Sequence, residues 1–341
     1  MTVAPPVQVE DLDWWQVVDE GAVGAVRRAA TALGGELVLP AERVADLAIV
    51  ATELVSNVHR HGTGGTVHLR SLRSGDHVGV ELVGVDSGPG MSDVAASARD
   101  GHSTAGTLGI GMGAISRLAN RLDTYSMVGS GTVVAAEVWG HPPPEILPGA
   151  GLVRPIAGES SSGDGYALRL VDGRAQAMLC DALGHGQLAA ATAQTLTGIF
   201  RDAPAGRPAA VLDHLHKHAG HTRGAVVAVV EFDRSAATLL CASLGNIAGW
   251  VIGQSGRLGI AAQPGFVGDR QRRTIREYEY PTEPGDLLVL HTDGLTDKWD
   301  LANYPGLVGR SPVVIAATLL RDAGVRRDDA GVLVVPVTEG R

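Results

Sequence analysis

Long apolar runs are missing from this chain of 341 residues. No stretch approaches the roughly 18 to 20 residues needed to cross a bilayer, and no membrane association is expected. Met1 to Gln16 lacks a basic stretch followed by an apolar core, so no secretory leader is expected and the cytoplasm is the expected location. Cysteine is scarce: Cys180 and Cys241 lie in apolar, strand-like runs and match no zinc spacing, which predicts buried, reduced thiols. Basic stripes are also lacking, and the formal charge of −9 is spread along the chain. A nucleic-acid partner is therefore not expected, and a protein partner is. There is no internal repeat and no low-complexity tract.

The chain does hold enough apolar residues, 45%, to give each of two domains its own core. The clearest punctuation is Gly140-His141-Pro142-Pro143-Pro144, continuing to Pro148-Gly149-Ala150-Gly151. Consecutive prolines cannot carry helix or ladder hydrogen bonds and stiffen a linker. The expected division is a domain at 9–140, a linker at 141–150 and a domain at 151–338. Before the linker, periodicity predicts helices near Gly21 to Leu33 and Ala41 to His61, then strands near Thr66 to Arg73 and His77 to Asp86. A Gly-rich loop, a helix near Gly111 to Arg121 and two closing strands follow. After it come strands near Gly165 to Val171 and Ala175 to Asp181 and two helices between Gly186 and Ala219. Four or five short strands lie between Ala225 and Tyr280. Then come a strand at Asp286 to Thr292, a helix near Pro312 to Asp322 and a strand at Gly331 to Val337. The expected class is α/β (α+β), with sheets stacked between helical layers.

In the first domain three pieces carry chemistry. Glu53 and Asn57 stand one turn apart on a helix and share a face. The amide oxygen suits Mg2+ on a triphosphate, and the carboxylate can take a proton from an attacking hydroxyl. Asp86 ends a strand and enters the turn Ser87-Gly88-Pro89-Gly90, where it can accept from an adenine amino group. Gly106-Thr107-Leu108-Gly109-Ile110-Gly111-Met112-Gly113 opens a helix whose free amides can receive phosphate oxygens.

Together these pieces resemble the ATPase fold of gyrase, MutL and histidine kinases, a GHKL-type (Bergerat) α/β sandwich. The resemblance is strongest to the RsbW, SpoIIAB and RsbT anti-sigma-factor serine kinases and covers about Trp14 to Trp139. It implies that Asn57 holds Mg2+, Glu53 is the general base, Asp86, Gly88 and Gly90 border adenine, and Gly109, Gly111 and Gly113 border the triphosphate of ATP.

In the second domain aspartates recur at strand ends: Asp164 in Gly163-Asp164-Gly165-Tyr166, Asp181 before Ala182-Leu183-Gly184-His185-Gly186, Asp293 in Thr292-Asp293-Gly294, and Asp328-Asp329 before the last strand. Several carboxylates cannot stay ionised together without cations, and oxygen ligands with water select Mg2+ or Mn2+. Two such ions about 3.5 to 4 Å apart can hold a phosphate for in-line attack. The set, with Gly245-Asn246, resembles the SpoIIE and RsbX phosphatases of the metal-dependent type 2C class, an α-β-β-α sandwich. That resemblance implies two ions bridged by Asp181, one ligated by the Ala182 carbonyl, the other completed by Asp293 and Asp328, with Asp164 acting through water.

Position 182 is Ala where that family usually has Gly, so a positive φ there would cost about 1 to 2 kcal/mol. His185 is a candidate general acid, or else a histidine packed at a helix start; Asp329 is a supporting or an exposed group. The resembled families imply a STAS-domain anti-sigma antagonist or stressosome scaffold as partner. Three functions follow: a bifunctional kinase and phosphatase, a phosphatase whose ATP-binding half only senses nucleotide or docks a partner, and a sequestering anti-sigma factor with idle sites. Intact Glu53 and the aspartates argue against the third.

Overall fold

Residues 8–94, 111–143, 149–233, 238–269, 273–325 and 327–337 are described by a computed structural model. They form two units, each drawing on both ends of the sequence. One unit is Val7–Glu145 with Asp300–Arg321, the other Ile146–Trp299 with Asp322–Arg341.

The N-terminal unit runs β1 (Gln8–Val17), α1 (Gly21–Glu36), α2 (Ala41–His61), β2 (Gly65–Ser74), β3 (His77–Asp86), α3 (Gly111–Leu118), β4 (Arg121–Met127) and β5 (Gly131–Trp139). Its strands form one antiparallel sheet in the order β1-β2-β3-β5-β4. Helix α2 buries Leu47, Val50, Ala51, Leu54, Val55 and Val58, the spacing of one helical face. These pack against alternate strand residues, among them Val67, Leu69, Val80, Leu82, Val134, Ala136 and Val138. Arg43 ties the layers together by donating to the carbonyls of Trp139 at 2.9 Å and Leu118 at 3.1 Å. Helices α1 to α3 and strands β2 to β5 lie close to where periodicity placed them. Strand β1 was not expected: its pairing with β2 shifts register between Asp11 and Trp14, which breaks the alternation a strand would show in sequence.

The C-terminal unit runs β6 (Ala150–Arg154), β7 (Asp164–Val171), β8 (Arg174–Ala182), α4 (Gln187–Asp202), α5 (Pro208–His218), β9 (Ala225–Asp233), β10 (Thr238–Leu244), β11 (Ala248–Gly253), β12 (Gly256–Gly259), β13 (Tyr278–Pro281), β14 (Leu287–His291) and β15 (Ala330–Pro336). Two five-stranded sheets result, β13-β10-β9-β8-β7 and β12-β11-β14-β15-β6. Between them lies a core that includes Tyr166, Leu179, Ala228, Leu288, Leu290, Leu333 and Val335. Leu196, Phe200, Leu212 and Leu215 of α4 and α5 cover the outer face of the first sheet together with Met178, Val227 and Val229. Strand β6 was read as the end of the linker and start of the second domain; pairing with β15 makes it an edge strand. Both cysteines are buried and free, and burial pushes both thiols up, Cys241 to about 12.

The last helix, α6 (Pro312–Ala323), sits in the C-terminal part of the sequence, yet its residues through Arg321 pack in the N-terminal unit. Val313 to Leu320 are all at least 95% buried, as expected of a helix with apolar residues all round. Ser311, at its start, donates from its main chain to Asp123 Oδ2 at 2.6 Å. Asp123 pairs across strands with Ala135, which alternation puts on the sheet face opposite α2. That second face also carries Arg70, buried against Glu81 at 2.6 Å, and His68, bonded to Asp11 at 2.8 Å. Burial, with Glu137 and Asp11 adding repulsion against the pull of Arg70, raises the Glu81 carboxyl to about 7. Among the described residues, no helix is long and apolar enough to cross a membrane.

Candidate active sites

The N-terminal site is built around glycines packed tightly against their neighbours. A Cβ on Gly111 would lie 3.1 Å from Asn57 Oδ1 and 3.6 Å from Glu53 Oε2, so the start of α3 faces both side chains of α2. Asn57 and Glu53 are half-buried, and Asn57 Nδ2 is buried with no hydrogen-bond partner among the described residues, as a group aimed at a ligand would be. A Cβ on Gly88 would stand 2.2 Å from the His61 carbonyl oxygen. Gly90 has φ +69° and would meet the Met127 carbonyl at 2.2 Å.

Asp86 lies between these elements. Its Oδ1 accepts from Gly88 N at 2.8 Å, closing the turn locally. Burial raises its carboxyl above the ordinary range, while bonds from the Gly88 and Thr132 backbones and the charges of Arg321 and His61 pull it down. Gly113 is buried inside α3. Gly109 and the rest of Gly106 to Ile110 lie outside the described residues. The orphaned Asn57 amide and the bare glycine walls fit a nucleotide; Asn57 and Glu53 would face its phosphates and Asp86 its base.

The C-terminal site is built by charge. Asp164 and Asp181 are directly opposed across β7 and β8. Asp164 is buried; Thr292 Oγ1 donates to its Oδ2 at 2.7 Å, and its Oδ1 has no partner among the described residues. Thr292 is itself fixed by Gly331 N at 2.9 Å. Asp293 Oδ2 accepts from Asn246 Nδ2 at 2.9 Å, which gives the Gly245-Asn246 pair its part in the site. Burial and the Asp181 charge push Asp164 well above the carboxylate range. Burial with Asp293, Asp328 and Asp329 takes Asp181 to about 7, and burial with Asp293 raises Asp328. This mutual repulsion is what a bound cation would remove.

Among the described residues, no three carboxylate, imidazole or thiol groups converge closely enough to hold an ion by side chains alone. Mg2+ is commonly held by one or two carboxylates and completed by carbonyls and waters. An orphaned buried carboxylate oxygen beside an opposed carboxylate fits that donor set.

Three expectations are sharpened. Ala182 does not adopt a positive φ, so its side chain brings no strain and is buried against α4. Positive φ falls instead on Gly184 (+89°) and Gly186 (+77°). Asp329 is not exposed: it accepts from the backbones of Ile156 and Gly163, each at 2.7 Å, and so pins the loop before Asp164. His185 is exposed rather than packed. Its Nδ1 lies 3.4 Å from Glu159 Oε1. Sequence reasoning missed Glu159 and Arg223, whose guanidinium lies over Gly184. Neither stands in a motif; only the fold brings them there.

The family description Stage II sporulation protein E matches residues 171–337, and Histidine kinase-like ATPase domain matches residues 17–138. The chain joins a histidine kinase-like ATPase domain to a SpoIIE phosphatase domain. Over 124 residues, 36% of the chain and 93% of the relative, it is 26% identical to the serine/threonine-protein kinase RsbT of Bacillus subtilis (strain 168). A solved chain from the bacterial stressosome, described as a modular system adapted to control secondary messenger signalling, is 26% identical. The likeness covers 56% of this chain and 99% of that one at a TM-score of 0.51. The RsbU and RsbW domains of Rv1364c from Mycobacterium tuberculosis are 18% identical over 57% of this chain and 62% of that one, with a TM-score of 0.46. The ATPase domain thus holds Glu53, Asn57 and Asp86, and the SpoIIE domain holds Asp181, Asp293 and Asp328.

Proposed function

We propose that this chain sets the phosphorylation of a partner protein from both directions. The domain at 9–140 transfers phosphate from ATP to a serine or threonine, and the domain at 151–338, beyond a linker at 141–150, removes it. The observation that carries the reading is the placement of Glu53 and Asn57 against Gly111, on the same chain as the opposed Asp164 and Asp181.

In the first reaction Asn57 would hold the Mg2+ that accompanies ATP, and Glu53 accepts the proton of the attacking hydroxyl. Asp86 takes the adenine amino group as a hydrogen-bond donor, and Gly88 and Gly90 leave room for the base. In the second, Asp181, Asp293, Asp328 and the Ala182 carbonyl would hold Mg2+ or Mn2+, with Asp164 bonded through water. A pair of such ions supplies charge neutralisation and a lowered water pKa. His185 stands at the rim, where it can give a proton to the departing serine oxygen, and Glu159 orients its ring.

The matched kinase and the stressosome chain support a STAS-domain antagonist or stressosome scaffold as the partner. Incubation with STAS-domain proteins, ATP and Mg2+ or Mn2+, read by intact mass, tests this. Gain of one phosphate from ATP, and its loss when nucleotide is withdrawn and Mn2+ added, is the expected result. A partner that loses phosphate but never gains it would leave only the phosphatase.

A further inference from the structure

The turn that follows Asp181 lies between two charged side chains. Strands β8 and β9 pair Asp181 with Val226 and Ala182 with Ala225, and the pairing continues past the ladder, where Leu183 N donates to the Gly224 carbonyl at 3.0 Å. One step further out, Gly184 stands opposite Arg223. A Cβ on Gly184 would lie 3.1 Å from Arg223 Nη1, so the guanidinium rests over the bare backbone of the turn. A Cβ on Gly186 would lie 3.3 Å from Glu159 Oε1, the oxygen that also stands 3.4 Å from His185 Nδ1. His185 thus falls between a glycine that borders a cation and a glycine that borders an anion. The chain around Arg223 is braced: Thr222 Oγ1 donates to the Ala219 carbonyl at 2.7 Å and accepts from Gly224 N at 3.2 Å. Gly224 has φ +86°, and a Cβ there would meet the Phe266 ring at 2.7 Å. The Arg223 side chain, by contrast, is exposed and makes no hydrogen bond or ion pair among the described residues. Held on a braced main chain and drawn into no salt bridge by the aspartates, it keeps its donors for a ligand.

We propose that Arg223 is a substrate-binding residue of the C-terminal site, and that its ligand is the phosphate dianion of the phosphoserine or phosphothreonine. The inference rests on the cation-site reading of Asp181, Asp293 and Asp328. A guanidinium presents its N–H donors in a planar fork that matches two phosphate oxygens. A dianion approaching this site meets carboxylates that repel it until cations neutralise them, and a fixed positive charge at the turn offsets the repulsion that remains. Glu159 would repel the same dianion, so the phosphate belongs at Gly184 rather than at Gly186. A phosphate held there is one residue from His185, the proton donor proposed for the departing oxygen.

The test uses the full chain. Hydrolysis of p-nitrophenyl phosphate and of a phosphoserine peptide is followed at saturating Mn2+, and binding of inorganic phosphate to the Mg2+-loaded chain is measured by calorimetry. Arg223→Ala is expected to raise KM for both substrates about 10-fold or more with a smaller change in kcat, and to weaken inorganic phosphate by a similar factor. Arg223→Lys, which keeps the charge but not the fork, recovers part of both. The half-saturating Mn2+ stays at its wild-type value in each variant, because Arg223 holds the phosphate and not the cation. Arg223 is exposed, so its replacement opens no cavity in the core. Wild-type KM and phosphate affinity in Arg223→Ala overturn the inference and leave the proposed function standing. A rise in KM confined to the peptide means that Arg223 touches polypeptide rather than phosphate, and overturns it too. So does a shift of the Mn2+ requirement as large as that of KM, the mark of a turn that has lost its shape. If wild type shows no Mn2+-dependent hydrolysis, the cation-site reading fails and takes this inference with it.

Discussion

The two sites are made by opposite means. The nucleotide site is shaped by what its residues lack: Gly88 and Gly90 approach carbonyl oxygens at distances no Cβ could share, and Gly111 lies tightly against Asn57. The cation site is shaped by excess, because Asp164, Asp181 and Asp328 are all raised by burial and by neighbouring aspartates, Asp293 and Asp329 among them in each case. A site made of bare backbone is stable when empty and tolerates no added bulk. One made of repelling carboxylates is under tension until a cation arrives, and it tolerates loss of charge structurally but not chemically.

That contrast can be broken most directly at Asp181. Asp181→Asn and Asp293→Asn should each remove Mn2+-dependent hydrolysis of a phosphoserine peptide by more than about 100-fold, beyond what losing a supporting group costs. ADP affinity should not change. Wild-type rates in both variants would end the cation assignment. Next in size is Glu53→Gln, which keeps shape but cannot accept a proton at neutral pH; phosphoryl transfer should fall about 100-fold at near-normal ATP affinity. Transfer that survives intact removes Glu53 from the mechanism. Asn57→Ala should weaken Mg-ATP about 10-fold, the loss of one charge-assisted contact, read by calorimetry with a non-hydrolysable analogue. Equal affinity in the variant rejects Asn57 as the ligand.

The smallest effect concerns a carboxylate in neither site. Glu81 is raised from 4.5 to about 7, so between those values the folded chain holds a proton that the unfolded chain releases. Its contribution to stability therefore falls as pH rises through that window and is flat above it. Relative to wild type, Glu81→Gln should gain a few degrees in melting temperature between pH 5 and pH 8, the scale of about 1 kcal/mol. A difference that does not vary with pH would mean that Glu81 is ionised throughout by Arg70.

Much of this was legible in the sequence because it is local. The apolar spacing of α2 gave its ends, and it placed Glu53 and Asn57 on one face. The aspartates stand at strand ends, where turn glycines mark them. What was not legible depends on pairing. Strand β1 hides behind the irregular register at Asp11 to Trp14, and with it the bonds of Asp11 to His68 and Arg70. The apolar pattern of α6 announced a buried helix but could not say in which unit, since Val313 to Leu320 would suit either core. Asp329 read as exposed or supporting until its two amide donors, 173 and 166 residues away, were in place.

The excursion of Asp300–Arg321 also fixes an order of events during synthesis. A ribosome delivers the strands of the first sheet early, but the helix that joins their second face emerges only after the whole second sheet pair except β15. Until then the face bearing Leu72, Val83, Val133 and Tyr125 waits uncovered by its own late segment. A chain cut after Trp299 would carry Glu53, Asn57, Asp86 and the glycines of the nucleotide site and still lack part of the unit that holds them. Neither half is a detachable cassette, and the first to be made is among the last to be finished.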